Sequence, residues 1–152
     1  MYNKQTISII LPALNEEKTI SNFIIDLKKL NIFDEIIAVD NNSTDNTKAE
    51  IQKNNVTYLF EKKRGYGAAV KKGLNHAKTD LLMVSEPEGS FAAKDSLILL
   101  KKLDDYEAVF SSRTYNQHMI FYLKYGNRLY ARFLNLLFNG PKLSDVGSSF
   151  RV

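Results

Sequence analysis

The sequence has no cysteine, no tryptophan and only three prolines among its 152 residues. Without cysteine the chain has no disulfides, no thiolate metal ligands and no thiol nucleophile. Its two histidines, His76 and His118, lie far apart in the sequence, so a histidine-based metal site is not expected. No apolar run approaches the roughly 20 residues of a membrane-spanning helix, and the N-terminus leads into a strand pattern instead of a secretory signal. We therefore expect one cytoplasmic domain over residues 1–152.

Acidic residues are missing from a long stretch near the C-terminus. Between Ala108 and Ser144 there is no Asp or Glu, yet the stretch holds eight of the seventeen Phe and Tyr residues. Its basic residues are Arg113, Lys124, Arg128, Arg132 and Lys142. A basic, aromatic-rich segment suits an anionic surface such as lipid headgroups or phosphates. A core helix with a solvated basic face explains the same pattern, so both interpretations stay open.

Apolar runs alternate with helical patterns along the chain. The continuous apolar, β-branched run at 7–11 predicts a strand buried on both faces, and four further strands are predicted at 35–40, 56–61, 81–85 and 108–112. The segments between and after them have helical spacing, at 17–30, 43–54, 67–77, 93–106 and 119–138. This alternation predicts an α/β fold with a mostly parallel sheet flanked by helices.

Polar, charged and glycine residues follow every predicted strand. The strand exits read "PALNEE", "DNNSTD", "EKKRGYG", "EPEG" and "SRTY". Ligands of parallel sheets bind beyond the carboxyl ends of the strands, so these segments predict one binding edge. The glycines of "GYGAAV" do not complete a dinucleotide-binding fingerprint, because Val70 stands at the third glycine position and the motif follows the third strand. A nicotinamide-dependent enzyme is therefore a poor fit.

The motifs together resemble family 2 glycosyltransferases with the GT-A fold. "LPALNEE", "VDNNSTDNT", "RGYGAAVKKG", "EPEGSF", "SSRTY" and "LSDVGSSFRV" occur in the family's order and spacing. The nearest resemblance is to the dolichol-phosphate mannose synthase branch and its bacterial polyprenyl-phosphate relatives. It implies a Rossmann-like sheet and inverting sugar transfer from a nucleotide diphosphate sugar. Family members normally continue past the residues that end this chain, so we expect the C-terminal part of the GT-A domain to be missing.

The resemblance implies that the nucleotide of the donor binds at the first four strand exits. The implied nucleotide-binding residues are Pro12, Ala13, Leu14, Asn15, Glu16, Asp40, Asn42, Arg64, Gly65, Gly67 and Glu86. Asp40 is the implied acceptor for the base, and Asn41 stands where the family usually has a second acid. Capping and turn chemistry explain the same residues without a ligand: Asn15 and Glu16 begin a helix, and "NNSTD" follows a strand.

The segment "EPE" lies where the family carries its D-x-D metal motif. Glu86 and Glu88 are implied to hold Mg²⁺ or Mn²⁺ against the diphosphate, since hard cations prefer carboxylate oxygens. Both positions carry Glu where the family has Asp, so Glu86 is also a candidate for the ribose, with Glu88 alone on the metal. A polar turn closed by Pro87 and Gly89 is the interpretation without a metal.

The acceptor side of the resemblance rests on three residues. Asp145 is the implied catalytic or orienting acid, and Arg113 and Arg151 are implied to bind acceptor phosphate oxygens; structural ion pairs are their alternative role. The expected acceptor is a polyprenyl phosphate at the cytoplasmic face of a membrane, with no nucleic-acid partner. A soluble glycan acceptor, or a non-catalytic nucleotide-binding module, are the alternative functions.

Overall fold

The structure, a computed structural model, describes residues 3–88, 91–111 and 121–137, the last range with side chains from Leu129 onward. The described residues divide into two compact units, one ending at Val109 and one beginning at Phe110. The first unit contains β1 Ile7–Ala13, α1 Ile20–Leu30, β2 Glu35–Asp40, α2 Thr47–Gln52, β3 Thr57–Phe60, α3 Tyr66–His76, β4 Leu81–Val84 and α4 Asp95–Leu100. The second unit contains α5 Phe121–Leu137.

The four strands form one parallel sheet in the order β3-β2-β1-β4. Ile9 of β1 pairs with Ile36 of β2 on one side and with Met83 of β4 on the other. Strand β3 pairs with the second half of β2 over its whole length, from Thr57 opposite Ile37 to Phe60 opposite Asp40. Because all pairs are parallel, the carboxyl ends of the four strands meet at one edge. The predicted α/β class and parallel sheet are confirmed.

Strand β1 supplies side chains to both faces of the sheet. Ile7, Ile9 and Leu11 pack on one face with the buried side of α1, which consists of Ile20, Phe23, Ile24 and Leu27. Ile10 points to the other face, where it packs with Ile37, Val39 and Ala69 of α3. The continuous apolar sequence of β1 follows from this position, since a central strand covered on both faces has no polar side to present.

The predicted fifth strand at 108–112 is wrong over its described residues. Phe110 forms an isolated bridge, and residues 108, 109 and 111 have no regular structure. The run "AVF" has strand composition, but short apolar runs do not determine strand pairing by themselves. The helices at 43–54 and 93–106 are shorter than predicted, since α2 covers Thr47–Gln52 and α4 covers Asp95–Leu100.

Two aspartates anchor the first residues of β1 at the amino-terminal edge of the sheet. Asp34 accepts from the Ile7 amide at 2.9 Å. Asp80 accepts from the amide and the hydroxyl of Thr6, both at 2.8 Å. The Thr6 amide and hydroxyl lower the pKa of the Asp80 carboxyl, and the Ile7 amide lowers that of Asp34. These bonds stabilise the ionised carboxylates in the folded chain.

Helix α5 exposes a row of apolar side chains. Ala131 is buried, whereas Leu129 and Leu136 are 70% and 84% exposed. The further exposed members of the row are Tyr130, Phe133 and Leu137. Their spacing of three, four and seven residues places them along one stripe of the helix. Across the described ranges, no helix combines the length and apolarity that crossing a membrane requires.

Gly73 provides a test of the packing between α3 and β1. A Cβ atom at this position would lie 2.3 Å from Cγ2 of Ile10, which is fully buried, so the side chain or the backbone would have to shift. We expect Gly73→Ala to lower the free energy of unfolding by about 1–3 kcal/mol through overpacking. Urea unfolding at neutral pH measures the change.

Gly67→Ala is the matched control, because it lies in the same helix and no atom lies within 4 Å of the added Cβ. This change is expected to leave stability unchanged or to raise it by up to about 1 kcal/mol, since Ala favours a helix over Gly. Equal stability of the two variants would contradict the close approach of α3 to β1.

The anchors of β1 predict a loss of stability in acid. Because the folded-state pKa of Asp80 lies below its ordinary value of 3.8, its contribution is complete above that value and disappears as the pH falls through the lowered pKa. Asp80→Asn should therefore reduce stability at neutral pH and flatten the decline between about pH 5 and pH 2. Urea midpoints across this range, compared with Asp105→Asn at an exposed position, measure the effect. A decline as steep as that of the parent chain would count against the anchor.

Candidate functional site

The carboxyl edge of the sheet brings four loops side by side. Strand β1 ends at Ala13, β2 at Asp40, β3 at Phe60 and β4 at Val84. The sheet continues for one residue beyond β2, because the backbone amide of Asn41 donates to the Ala13 carbonyl at 2.8 Å. The loops after these strands carry the motifs that the sequence placed at a ligand edge, so the predicted gathering of the first four strand exits is confirmed.

Asn15 joins the loop after β1 to the loop after β2. The backbone amide of Asn15 donates to the Ser43 hydroxyl at 3.1 Å, and its side-chain oxygen accepts from the Thr44 backbone amide at 2.9 Å. Asn15 and Asn42 both have left-handed backbones, with φ of 59° and 64°. Asparagine adopts this conformation more readily than other residues with side chains. The two asparagines therefore shape the loops in addition to any contact with a ligand.

A second set of hydrogen bonds joins the same loops one turn further along. The Glu16 amide donates to the Thr47 hydroxyl at 2.7 Å, and the Glu17 amide donates to Asp45 at 3.2 Å. The Glu17 carboxylate in return accepts from the Asn46 amide at 3.0 Å. Burial acts to raise the pKa of Asp45, but hydrogen bonds from Thr47 and Glu17 outweigh it, so the pKa lies below its ordinary value. Asp45 is therefore ionised at neutral pH and holds both loops.

Asp40 is nearly buried, with 3% of its surface exposed. One carboxylate oxygen accepts from the Ser43 amide at 2.9 Å, and the other accepts from the Tyr58 hydroxyl at 3.1 Å. Burial and the neighbouring Asp40 charge raise the pKa of Tyr58 to about 12, so the phenol stays a donor. Lys48 lies over the Tyr58 ring, 5.8 Å from its centroid. A carboxylate accepts about four hydrogen bonds, so Asp40 retains capacity for a ligand donor.

The loop after β3 is held by the side chain of Asn41. The side-chain nitrogen of Asn41 donates to the Lys63 carbonyl at 2.8 Å, and its side-chain oxygen accepts from the Gly65 backbone amide at 2.7 Å. Arg64 lies between them, is exposed, and donates to the Asn42 carbonyl at 3.3 Å. Gly65 has φ of 134°, a conformation that side chains disfavour. The loop therefore reaches back to β2 and brings a cationic side chain to the edge.

The exit of β4 carries the predicted metal pair. Pro87 is buried, Glu86 is half-buried and Glu88 is exposed, so the two acids flank a fixed residue at the sheet edge. Carboxylate oxygens fit a hard divalent cation. In the part of the chain that the structure describes, no group of three His, Asp or Glu residues could hold a metal. Two carboxylates suit Mg²⁺, which usually binds one or two of them and completes its coordination with water and substrate phosphates.

The structure places most of the predicted nucleotide-binding residues at this edge. Pro12 and Ala13 are buried as the last residues of β1, whereas Leu14 is 43% exposed. The Glu16 carboxylate accepts from the Thr19 hydroxyl at 2.6 Å, and Gly67 lies in the first turn of α3 with open space around it. The predicted residues Arg113, Asp145 and Arg151 lie outside the described residues.

Sequence reasoning assigned no site role to Asn41, Tyr58, Asp45 or Thr47. Asn41 appeared only as a departure from a family acid, and Tyr58 as one residue of a strand. The roles of Tyr58 and Asn41 depend on hydrogen-bond partners that lie 18 and 24 residues away along the chain. For Asp45 and Thr47 the available signal was the preference of these residue types for the start of a helix.

Solved structures share the fold. The chain is similar to glucosyl-3-phosphoglycerate synthase from Mycobacterium tuberculosis, solved with Mn²⁺, UDP and glucosyl-3-phosphoglycerate, with a TM-score of 0.79 and 22% identity. The match covers 97% of this chain and 56% of that chain. The same synthase has also been solved with Mg²⁺ and UDP, with a TM-score of 0.76. At this level of identity the likeness confirms the GT-A-type fold.

Curated relatives are similar in sequence as well. An uncharacterized glycosyltransferase of Mycobacterium bovis is 33% identical over 98 residues, which cover 64% of this chain and 44% of that protein. The UDP-N-acetylglucosamine–dolichyl-phosphate N-acetylglucosaminyltransferase of Methanococcus voltae is 30% identical over an alignment of 173 positions, which covers 96% of this chain and 68% of the relative. The chain thus spans less than half of the mycobacterial relative.

The family model described as "Glycosyl transferase family 2" matches residues 8–152, nearly the whole chain. The match includes every strand exit described above, and it confirms the resemblance inferred from the six motifs. On this match and the sequence likeness to the Methanococcus voltae transferase, the chain belongs to glycosyl transferase family 2.

Proposed function

We propose that the chain binds a nucleotide diphosphate sugar at the carboxyl edge of the sheet and transfers its sugar. The observation that carries this proposal is the joined loop system, in which Asn15, Asp45 and Asn41 hold three strand exits in fixed positions. A fixed edge suits catalysis, because a ligand held in one orientation reacts without a further ordering cost. In this arrangement Asp40 accepts from the base, and Arg64 meets the anionic part of the donor.

Glu86 and Glu88 would hold Mg²⁺ or Mn²⁺, and the fit of their donor atoms supports the assignment. A cation bound there supplies positive charge that stabilises the departing nucleoside diphosphate. Since two carboxylates are the largest acidic set at this exit, tight metal binding requires the phosphates of the donor as additional ligands. The Mn²⁺ and Mg²⁺ in the solved glucosyl-3-phosphoglycerate synthase, both bound alongside UDP, are in accord with this proposal.

For the acceptor we propose a polyprenyl phosphate at a membrane surface. A phosphate oxygen attacks the anomeric carbon, the bond from that carbon to the diphosphate oxygen breaks, and the sugar configuration inverts. Arg113 and Arg151 are assigned to the acceptor phosphate and Asp145 to its orientation, on the sequence motifs alone. The name of the Methanococcus voltae relative, a dolichyl-phosphate transferase, supports this acceptor class.

The exposed apolar stripe of α5 supports a membrane-surface location. Leu129, Phe133 and Leu136 are each more than half exposed, and the sequence from 108 to 144 has five Lys and Arg and no acid. An amphipathic helix of this kind binds at the interface of anionic lipid, with its apolar side chains inserted among the headgroups. A soluble phosphorylated acceptor is the alternative that the acceptor experiment distinguishes.

The proposed function makes a prediction about donor binding. A panel of UDP-, GDP- and dTDP-sugars, tested by calorimetry with and without Mn²⁺, should identify a nucleotide whose binding is strengthened by the metal. Asp40→Ala should weaken that nucleotide in both conditions, by about 1.5–3 kcal/mol for a charged hydrogen bond. Glu88→Ala should remove only the metal-dependent part of the affinity, because the base contact remains.

Glu107→Ala is the control for lost negative charge. Glu107 is exposed, and nearby Asp104 accepts from Asn3 ahead of β1, at the opposite edge of the sheet. The Glu107→Ala variant should bind donor and Mn²⁺ as the parent chain does. Retention of full metal-dependent affinity in Glu88→Ala would show the metal assignment to be wrong. Unchanged donor affinity in Asp40→Ala, with and without Mn²⁺, would show that Asp40 only shapes the loop.

A further prediction concerns the membrane surface. The chain should sediment with anionic vesicles at low salt and less so at high salt, since each Lys or Arg near the surface contributes about 1 kcal/mol of attraction. Leu136→Asp should reduce sedimentation because it places a carboxylate in the apolar stripe. Ile98→Asp, at a 63% exposed position on α4, is the matched control and should sediment normally.

Transfer to the two acceptor classes completes this test. Radiolabelled sugar from the nucleotide identified above should pass to a short-chain polyprenyl phosphate in detergent. If the chain instead ignores vesicles at every salt concentration and glycosylates a water-soluble phosphorylated acceptor, the lipid proposal fails and the soluble acceptor replaces it.

A further inference from the structure

The side chain of Asn41 satisfies three backbone groups of one loop. Its amide nitrogen donates to the carbonyls of Glu61 and Lys63, at 3.3 and 2.8 Å, and its oxygen accepts from the Gly65 amide at 2.7 Å. The residue is 3% exposed, and its own amide is bonded to the Ala13 carbonyl. A single residue therefore connects the three strand exits: its backbone amide bonds to the end of β1, and its side chain bonds to the loop after β3.

These three partners require a side chain with both a donor and an acceptor, such as the carboxamide of Asn. Backbone carbonyls only accept hydrogen bonds, so their partner must donate, while the Gly65 amide requires an acceptor. Asn supplies both from one planar group. A carboxylate in the same place would face two carbonyl oxygens without a proton to donate, and a buried polar group without its partner costs about 1–3 kcal/mol. In this chain, with these three loop partners, Asn therefore fits the position better than the isosteric Asp, although the family usually has an acid there.

The segment that Asn41 holds contains features that oppose an ordered loop, and the bond from the Lys63 backbone amide to the Glu61 carboxylate, at 2.8 Å, acts against them. Lys62, Lys63 and Arg64 are consecutive cations, all exposed, and neighbouring like charges oppose a compact loop. Gly65 follows with φ of 134°, and a glycine loses more conformational freedom on ordering than any other residue. In the described structure, Asn41 bonds to residues on both sides of Arg64.

We propose that Asn41 is a positioning residue for donor binding. It holds residues 61–65 in the conformation that presents Arg64 at the sheet edge, and it does so without touching the nucleotide. The proposal rests on the proposed function, since it assigns Arg64 to the donor. Asn41→Asp replaces the two donors while keeping the size of the side chain. If the loop then keeps its conformation in about one tenth of the molecules, apparent donor affinity falls about tenfold.

Limited trypsin digestion tests the loop without any nucleotide. Cleavage after Lys62, Lys63 or Arg64 should be slow in the parent chain and at least several-fold faster in Asn41→Asp. Asn55→Asp is the matched control, because Asn55 is exposed and also has a positive φ, 52°. Its cleavage rate at residues 62–64 should equal that of the parent. Equal rates in the parent and Asn41→Asp would overturn the proposal.

The pH dependence of donor affinity separates positioning from a general loss of stability. In Asn41→Asp the introduced carboxyl regains one donor when it is protonated, so the roughly tenfold deficit should shrink as the pH is lowered from 8 to 5. In Asn55→Asp no deficit should be present at either pH. A deficit that is independent of pH, in a variant with unchanged loop cleavage, would contradict the proposal.

A measurement on the parent chain covers the case in which Asn41→Asp does not fold. The Gly65 amide should exchange with solvent slowly, because it donates to a buried acceptor, and rapid exchange would overturn the proposal. The outcomes also separate this proposal from the proposed function. If no nucleotide binds the parent chain, the assignment of donor binding fails, whereas trypsin digestion and amide exchange still decide whether Asn41 holds the loop.

Discussion

The burial of β1 on both faces is the constraint from which the rest of the first unit follows. Ile7, Ile9, Ile10 and Leu11 are completely buried, which requires a strand on each side and helices above and below. Parallel pairing with β2 and β4 then brings the strand exits to one edge. The same constraint requires a glycine at position 73, where α3 approaches Ile10 closely. The location of the site is thus a consequence of core packing.

The site itself is maintained by hydrogen bonds between side chains and the backbone of neighbouring loops. Asn15, Asp45 and Asn41 each reach from one loop to the backbone of another. Asn15 is exposed, whereas Asp45 is half-buried and Asn41 is buried, and at the two less exposed residues each bond is stronger than on the surface. An edge held in this way keeps its shape before a ligand arrives, which suits recognition of a flexible nucleotide sugar.

Membership in glycosyl transferase family 2 constrains the donor more than the acceptor. The proposed donor-binding residues belong to the first four strand exits, and they lie within the described residues. Acceptor recognition is assigned to Arg113, Asp145 and Arg151, which lie outside the described residues. The named relatives also differ in this respect, since one is a dolichyl-phosphate transferase and one a glucosyl-3-phosphoglycerate synthase. The exposed stripe of α5 is the structural feature that favours a lipid surface.

The sequence by itself determined the class of fold, the four paired strands and the edge at which polar residues gather. These features follow from local periodicity and from the order of the motifs, which are written into short segments. It did not determine that residues 108–111 fail to form a strand, because pairing depends on the neighbours available. Only the tertiary structure decided that Tyr58 donates to Asp40, and that Asn41 holds the loop around Arg64. Those contacts join residues on different strands, and no local pattern encodes which distant partner a buried polar side chain will meet.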